Sequence, residues 1–414
     1  MSQASSKFTD TSVQVSRRHV SGKLWLAIFQ VATLIGVVAL TVLLLTILND
    51  SFGYVAVENK VDPDSLAVNG IPLDAQDKEN LVQTLRGNIS AGLYARFERD
   101  QPFAERDEAN VYALIQEFVI SPRILESWTL YDSLFIREQI SETLERDFPN
   151  AELQFRNWLS WNFVRAQQSS YPEIAGVRTA ILGSLWTIAI AIAFSLPVGV
   201  GAAVYLQEYA QDNQINRIIQ TNINNLAGVP SIIYGMLGLA IFVRAFGLFT
   251  SGIAFGAVDP ATANGRTILS AGLTLGLLVL PLIIINAQEA IKAVPNSLRE
   301  ASFGLGATRW ETIWAHVLPN ALPGILTGSI LAVSRAIGET APLIVIGAST
   351  FIQVDPSGPF SKFTTLPIQI FQWTTRPQGA YHHLAAAASL VLLVMLLTLN
   401  ATAILLRNRS RRSY

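Results

Sequence analysis

Arg335 and Glu339 stand in the run Ser334-Arg-Ala-Ile-Gly-Glu-Thr-Ala-Pro342, inside a long apolar stretch. A charged side chain at the centre of a spanning helix costs ~2.5 to 3.5 kcal/mol on insertion scales, so such groups face protein or a water-filled cavity. Their i, i+4 spacing predicts that they lie one turn apart on one face, where they can neutralise each other. That pair reads in two ways. It is a structural ion pair, or it is an oxyanion site, with the guanidinium fork meeting two oxygens and the carboxylate accepting a hydrogen bond from a protonated one. Thr340 adjoins the pair. Arg244, in another apolar run, is a second buried-charge candidate that can instead snorkel to a nearby helix end. Arg178 reads as an interfacial anchor rather than as the lining of an entrance. The adjacent His382 and His383 point in different directions on a helix and do not read as a metal site.

These charges need a membrane to be unusual, and the composition supplies one. The 414 residues are 50% hydrophobic and 14% charged, with a mean hydropathy of +0.37, too apolar for a water-soluble chain. With no cysteine there is neither a disulfide framework nor a thiolate metal site. A bilayer core needs ~20 apolar residues per helix. Six runs qualify: Leu24 to Leu48, Val177 to Leu206, Val229 to Thr250, Thr267 to Gln288, Leu322 to Ala348 and Leu384 to Leu406. The first is too long for a signal peptide and has no cleavage site after it, so it reads as a retained helix.

Lysine and arginine near helix ends mark the cytoplasmic side. With the N-terminus inside, twelve basic residues flank the inner ends (Lys7, Arg17, Arg18, Lys23, Arg217, Lys292, Arg299, Arg309, Arg407, Arg409, Arg411 and Arg412). Only Arg266, Lys362 and Arg376 lie in the short outer loops. Both termini are then cytoplasmic: a tail of residues 1–23, a first span at 24–48, and a basic tail at 407–414. Residues 49–176 fall outside. Between Phe52 and Gly176 there are 20 acidic and 11 basic residues, net −9, while the remainder is net +8. Turn-rich sequence at Asp62 to Pro72 precedes stretches with helical apolar spacing, Ala104 to Ile120 and Ile124 to Leu144, so this insert is expected to be mostly helical. It holds no metal-ligand or nucleophile pattern and suits a docking or spacer role.

Between the fourth and fifth runs, Ser297 with Glu300 and Thr308 with Glu311 each have capping-box spacing. Gly304 and Gly306 lie between them, where a chain leaving a helix favours positive φ. Trp310, Ile313, Trp314, Val317 and Leu318 recur at i, i+3, i+4, i+7 and i+8, giving one wide apolar face. A short helical hairpin on the inner membrane surface follows. Spacing alone leaves two uses level: insertion into a groove of a cytoplasmic partner, or a helix lying on lipid.

Glu300-Ala301-Ser302, Gly306 and Leu318-Pro319 resemble the EAA loop of ATP-binding-cassette importer permeases, with Ser302 for the second alanine and His316 where isoleucine or valine is usual. The resemblance implies a type I importer permease core at 177–406, an all-α integral membrane protein of six helices with the insert added. It also implies an ATPase-coupling loop at 289–320 using Glu300, Ala301, Gly306, Trp310, Leu318 and Pro319. The Arg-x-x-Gly-Glu-Thr-Ala-Pro run, Ala227 to Ile233 and Glu289 to Pro295 resemble the PstA family of phosphate importer permeases over roughly Ala175 to Leu406, though the insert is longer than that family leads one to expect. From this follow a substrate path through Arg335, Glu339, Thr340 and Arg244, and partners comprising a second permease (PstC-like), a nucleotide-binding ATPase dimer (PstB-like), a soluble phosphate-binding protein (PstS-like) and membrane lipid, with no nucleic acid.

The chain itself is expected to be non-catalytic and to bind no cofactor. It has no Gly-x-x-x-x-Gly-Lys-Ser/Thr loop, so ATP and Mg belong to the partner ATPase. It also lacks His-Glu-x-x-His and Gly-x-Ser-x-Gly, which sets a membrane hydrolase aside. Another oxyanion or small solute as cargo stays open, as does an ion-gradient transporter using Arg335 and Glu339 as its coupling pair.

Overall fold

A computed structural model describes residues 2–68, 70–100, 102–256, 264–349, 351–352 and 354–411. Arg412 and the rest of the expected basic tail beyond 411 lie outside them, as do the side chains of Lys7, Arg17, Arg18 and Arg411. Five helices are long and apolar enough to span a bilayer, within Ser21–Asp50, Arg178–Tyr209, Ile268–Lys292, Arg309–Ile337 and Gly379–Arg409. A sixth span arises only if Gln214–Leu226 and Ser231–Ala245, which meet at 108°, count as one. The numbering of six spans is kept below, with Ser231–Ala245 as the third.

The fourth span, Ile268–Lys292, is the hub, packed against the second, third and fifth. In lipid no hydrophobic drive brings one apolar helix to another, so close packing through small residues provides the adhesion. Gly272 and Gly276 let Ile190 and Phe194 of the second span come close. At Gly183 the constraint is strictest, because a Cβ would overlap the backbone carbonyl oxygen of Thr364, which leads into the buried helix Leu366–Thr374. A backbone atom fixed between two helices cannot yield, so Gly183→Ala is expected to destabilise the fold by ~1 to 3 kcal/mol. Its melting temperature in detergent, compared with Gly201→Ala where the Cβ meets nothing, checks this.

The fifth span departs from expectation. A continuous Leu322 to Ala348 helix does not form. The helix Leu318–Ile337 ends at Gly338, Glu339 and Thr340 are unwound, and a short helix, Ala341–Ile346, follows. Gly338 and the proline at 342 are the physical reason: Pro342 lacks the N–H an unbroken helix would need, and glycine is the poorest ordinary helix former before it.

The insert is helical over most of its described residues, but its frame is a three-stranded antiparallel sheet that the sequence reading did not anticipate. β1 (Phe52–Glu58) lies between β2 (Arg123–Ser127) and β3 (Glu152–Asn157). The expected helix from Ile124 to Leu144 is thus wrong at its start, where β2 pairs Val55 with Ser127 and Glu58 with Arg123, and helix begins only at Leu130. Helices and turns from 63 to 120 form a separate apolar cluster around Leu81, Leu85, Val111 and Ile115.

The second span joins the two functional ends of the molecule. Its Arg178 end meets the insert, where Arg178 N–H donates to the Ala166 carbonyl, and its other end carries Glu208, which pairs with Arg299 of the hairpin. At ~1.5 Å per residue the 27 residues Arg178–Val204 cover ~40 Å. Insert and hairpin therefore lie on opposite sides of the bilayer.

Candidate functional site

The hairpin begins where Pro295 ends the turn after the fourth span. Asn296–Gly304 is its first helix. The Ser297 and Glu300 capping box does not form, because Pro295 occupies the cap position and Ser297 is already inside the helix. The second box is present: Thr308 Oγ1 accepts from Glu311 N–H, and the Glu311 carboxylate accepts from Thr308 N–H at 2.8 Å. Between the helices Gly306 takes φ +83°, which a side chain would resist, while Gly304 stays helical. Ser302, the departure from the second alanine, pairs its hydroxyl with Thr312 Oγ1 at 2.8 Å and ties the two helices together out of water.

The second helix is not a short arm. Arg309–Thr312, a π turn at Ile313–Val317 and Leu318–Ile337 form one helix of 29 residues. Its expected single apolar face divides in two. Ile313 and Val317 are buried in the protein, whereas Trp310 and Trp314 stack on each other at 5.7 Å and stay exposed with Phe303 and Leu305. Ala301 and Glu300 are exposed on the first helix, and Leu318 and Pro319 are half-buried where the rod enters the core. Trp314 also borders an apolar groove with Leu322 and with Pro197 and Val200 of the second span.

One interaction that seats the hairpin left no mark in the local sequence. Arg299 Nη2 reaches Glu208 Oε1 at 2.7 Å, and the two side chains are 15% and 11% exposed. The same guanidinium donates to the carbonyl oxygens of Val294 at 2.7 Å and Ile291 at 3.0 Å. It thereby caps the C-terminal turn of the fourth span and joins it to the end of the second.

Arg335 lies far from the hairpin on the same rod, with Glu339 just past its end. Ala332 and Ala336 share a buried cluster with Tyr234, Leu278, Val279 and Ile283, which sets this level midway along the fourth span. Arg335 Nε and Glu339 Oε1 are 3.5 Å apart, with side chains 48% and 19% exposed. They are neighbours across the helix end and not on one continuous helical face, since Glu339 stands past the last turn. At mid-membrane depth this exposed surface cannot meet hydrocarbon cheaply, and unwound backbone there requires protein or a water-filled cavity beside it. Ser334 Oγ donates to Asn400 Oδ1 at 2.7 Å, fixing the rod to the sixth span one residue from the arginine. Thr340 is half-buried, and its carbonyl accepts from Leu343 and Ile344 N–H. Arg244 is exposed in the turn Leu239–Ala245 at the insert end of the third span, and among the described residues no hydrogen bond or ion pair connects it to Arg335 or Glu339.

Of the remaining charges, Arg178 pairs with Asp355 at 2.7 Å, and Thr179 donates to the same carboxylate at 2.8 Å. The arginine is therefore an ion-pair partner inside the fold as well as a boundary residue. His383 Nδ1 lies 2.6 Å from the Asp50 carbonyl oxygen and its ring stacks on Trp158. Among the described residues no cluster of His, Cys, Asp or Glu could hold a metal ion.

Residues 195–413, which contain both the hairpin and the mid-membrane pair, match the profile of the binding-protein-dependent transport system inner membrane component. The chain belongs to that family. It is an ATP-binding-cassette importer permease, a non-catalytic membrane-spanning subunit. It is 32% identical to a probable ABC transporter permease protein, YqgI, of Bacillus subtilis (strain 168), over 59% of this chain and 82% of the relative. It is 33% identical to the phosphate transport system permease protein PstA 1 of Mycobacterium tuberculosis (strain CDC 1551 / Oshkosh), over 56% of this chain and 70% of the relative. A solved structure of the MetNI methionine ABC transporter aligns with 57% of this chain and 96% of its own at 18% identity and a TM-score of 0.39. An importer permease works with an ATPase and a substrate-binding protein, so this chain is one component of a larger assembly.

Proposed function

We propose that this permease imports inorganic phosphate, with a second permease completing the path, an ATPase dimer docked on the hairpin and a soluble phosphate-binding protein delivering cargo on the insert side. The observation that carries the reading is Arg335, a half-exposed guanidinium at mid-membrane beside an unwound turn, with Glu339 3.5 Å away. A cation in that position attracts an anion, and the adjoining carboxylate accepts a hydrogen bond from a monoprotonated or diprotonated oxyanion but repels a fully deprotonated one. This favours phosphate over sulfate or molybdate. The names of the PstA relatives agree with that cargo. The basic flanks on the hairpin side support a cytoplasmic position for the hairpin and for both termini.

Labelled-phosphate uptake into vesicles holding the assembled complex, the binding protein and internal ATP tests the reading. Unlabelled phosphate is expected to compete and sulfate or molybdate not to. Equal competition by sulfate would overturn the assignment, and uptake on an ion gradient without nucleotide would overturn the ATP-driven reading.

The hairpin has its own test. ATP hydrolysis reaches the membrane only if closure of the ATPase dimer moves Asn296–Val317. A charge in the stacked tryptophan pair, Trp310→Glu, is expected to cut phosphate uptake at least tenfold while the ATPase in isolation hydrolyses as before. Gly306→Val, which strains the φ +83° turn, should act in the same direction. Full uptake in both variants would remove the hairpin from the coupling path.

A further inference from the structure

The insert exposes a group of aromatic side chains that neither the transport path nor the hairpin uses. Tyr131, Leu134 and Phe135 project from the short helix Leu130–Phe135, and Trp161 opens the helix Trp161–Arg165. Phe135 is 70% and Trp161 65% exposed, too much for ordinary core residues. Hydrogen bonds from the backbone of their segments reach Asn49, at the end of the first span, and Ser51, just after it. Tyr131 N–H donates to Asn49 Oδ1 at 2.7 Å, and Trp158 N–H donates to the Ser51 carbonyl at 3.2 Å. The Asp50 carbonyl lies 2.6 Å from His383 in the first turns of the sixth span, so both spans enter the insert at this level. The other side of the short helix faces protein, where Ser133 accepts from Tyr54 N–H at 2.8 Å.

The first span is exposed on every side from Ser21 to Thr46 and becomes half-buried only in its last turn, under the insert. Lipid is the natural solvent of such a helix, and the headgroup layer lies at its end. Tyrosine and tryptophan concentrate in that layer because a ring and a polar atom suit a surface that is half apolar. Two cations accompany them. Arg165 lies over the Trp161 ring at 4.7 Å, and Arg137, two residues after Phe135, over Tyr54 at 5.5 Å. Both stand out in an insert that is net negative.

We propose that these residues form a membrane-seated foot: Tyr131, Leu134, Phe135 and Trp161 sit at headgroup depth around the first span, and Arg137 and Arg165 meet lipid phosphates. The foot holds the insert against the bilayer, so the insert moves with the spans.

The chain has no cysteine, so an introduced cysteine is the one spin-label site it contributes, and the complex without it gives the background. Phe135→Cys, Trp161→Cys and, as a second position on the same face, Tyr131→Cys are labelled in the assembled complex in phosphatidylethanolamine vesicles with and without phosphatidylglycerol. Glu145→Cys, exposed elsewhere on the insert, is the aqueous control. Oxygen accessibility at the foot is expected to exceed that of the control several-fold and accessibility to a water-soluble nickel chelate to fall several-fold, with phosphatidylglycerol deepening the seat. Control-like accessibility at all three foot positions would overturn the proposal in favour of open solvent. Low accessibility to both probes would overturn it in favour of cover by another protein chain.

Discussion

Replacing Arg299 by methionine is expected to leave an assembled transporter that hydrolyses ATP but imports little phosphate. The guanidinium satisfies Glu208 and two carbonyl oxygens at once, and both side chains are largely withdrawn from solvent. Methionine keeps much of the volume and removes every donor, which leaves a largely buried carboxylate without its partner. Removing one member of such a pair costs ~3 kcal/mol or more, and at ~1.4 kcal/mol per tenfold that is a shift of about a hundredfold against the seated hairpin. The measurement is the ratio of ATP hydrolysed to phosphate imported in vesicles, expected to rise by at least tenfold. A charge exchange, Glu208→Arg with Arg299→Glu, separates seating from general damage. It restores the ion pair without the bonds to Ile291 and Val294, so it should recover part of the coupling that each single variant loses. Single variants with unchanged ratios would show that the pair only decorates the fold.

Arg335 produces the second large effect. Arg335→Gln removes the charge while retaining an amide, and on the proposed path phosphate uptake is expected to fall by about ten- to a hundredfold, since a hydrogen bond to a charged group contributes ~1.5 to 3 kcal/mol. Arg335→Lys keeps the charge but not the planar fork and should recover only a fraction. Both variants are expected to assemble, because the arginine is half-exposed and its sole ion-pair partner among the described residues is Glu339 at 3.5 Å. Assembly is read by co-purification of the ATPase, transport by labelled phosphate. Normal uptake in an assembled Arg335→Gln complex would make the arginine a structural partner of Glu339 and nothing more.

The two sites differ in how far the sequence disclosed them. Arg335 was visible as a charge among apolar residues, and the Thr308 box and Gly306 turn as local patterns whose partners lie within three residues. Glu208 and Arg299 are 91 positions apart, and nothing in either neighbourhood names the other. The helix break at 338–340 was hidden for a different reason. A hydropathy window averages over a span, so Ile337 and Ala341 carry the run across a gap that Gly338 and Pro342 had already announced. In the insert, Tyr54, Val55, Ala56 and Val57 form the short β-rich run that marks a buried central strand, yet the two edge strands carry charges and weaker alternation. Ile124 and Leu125 fit helical spacing equally well until β1 supplies hydrogen-bond partners.

The unbroken helix from Arg309 to Ile337 has a mechanical consequence. Twenty-nine residues at ~1.5 Å each make a rod of ~43 Å. One tip carries the tryptophans and the far tip carries Arg335. Tilting it by ~10° about its midpoint displaces both tips by ~4 Å in opposite directions. The rod is a lever, and the guanidinium rides on its load end.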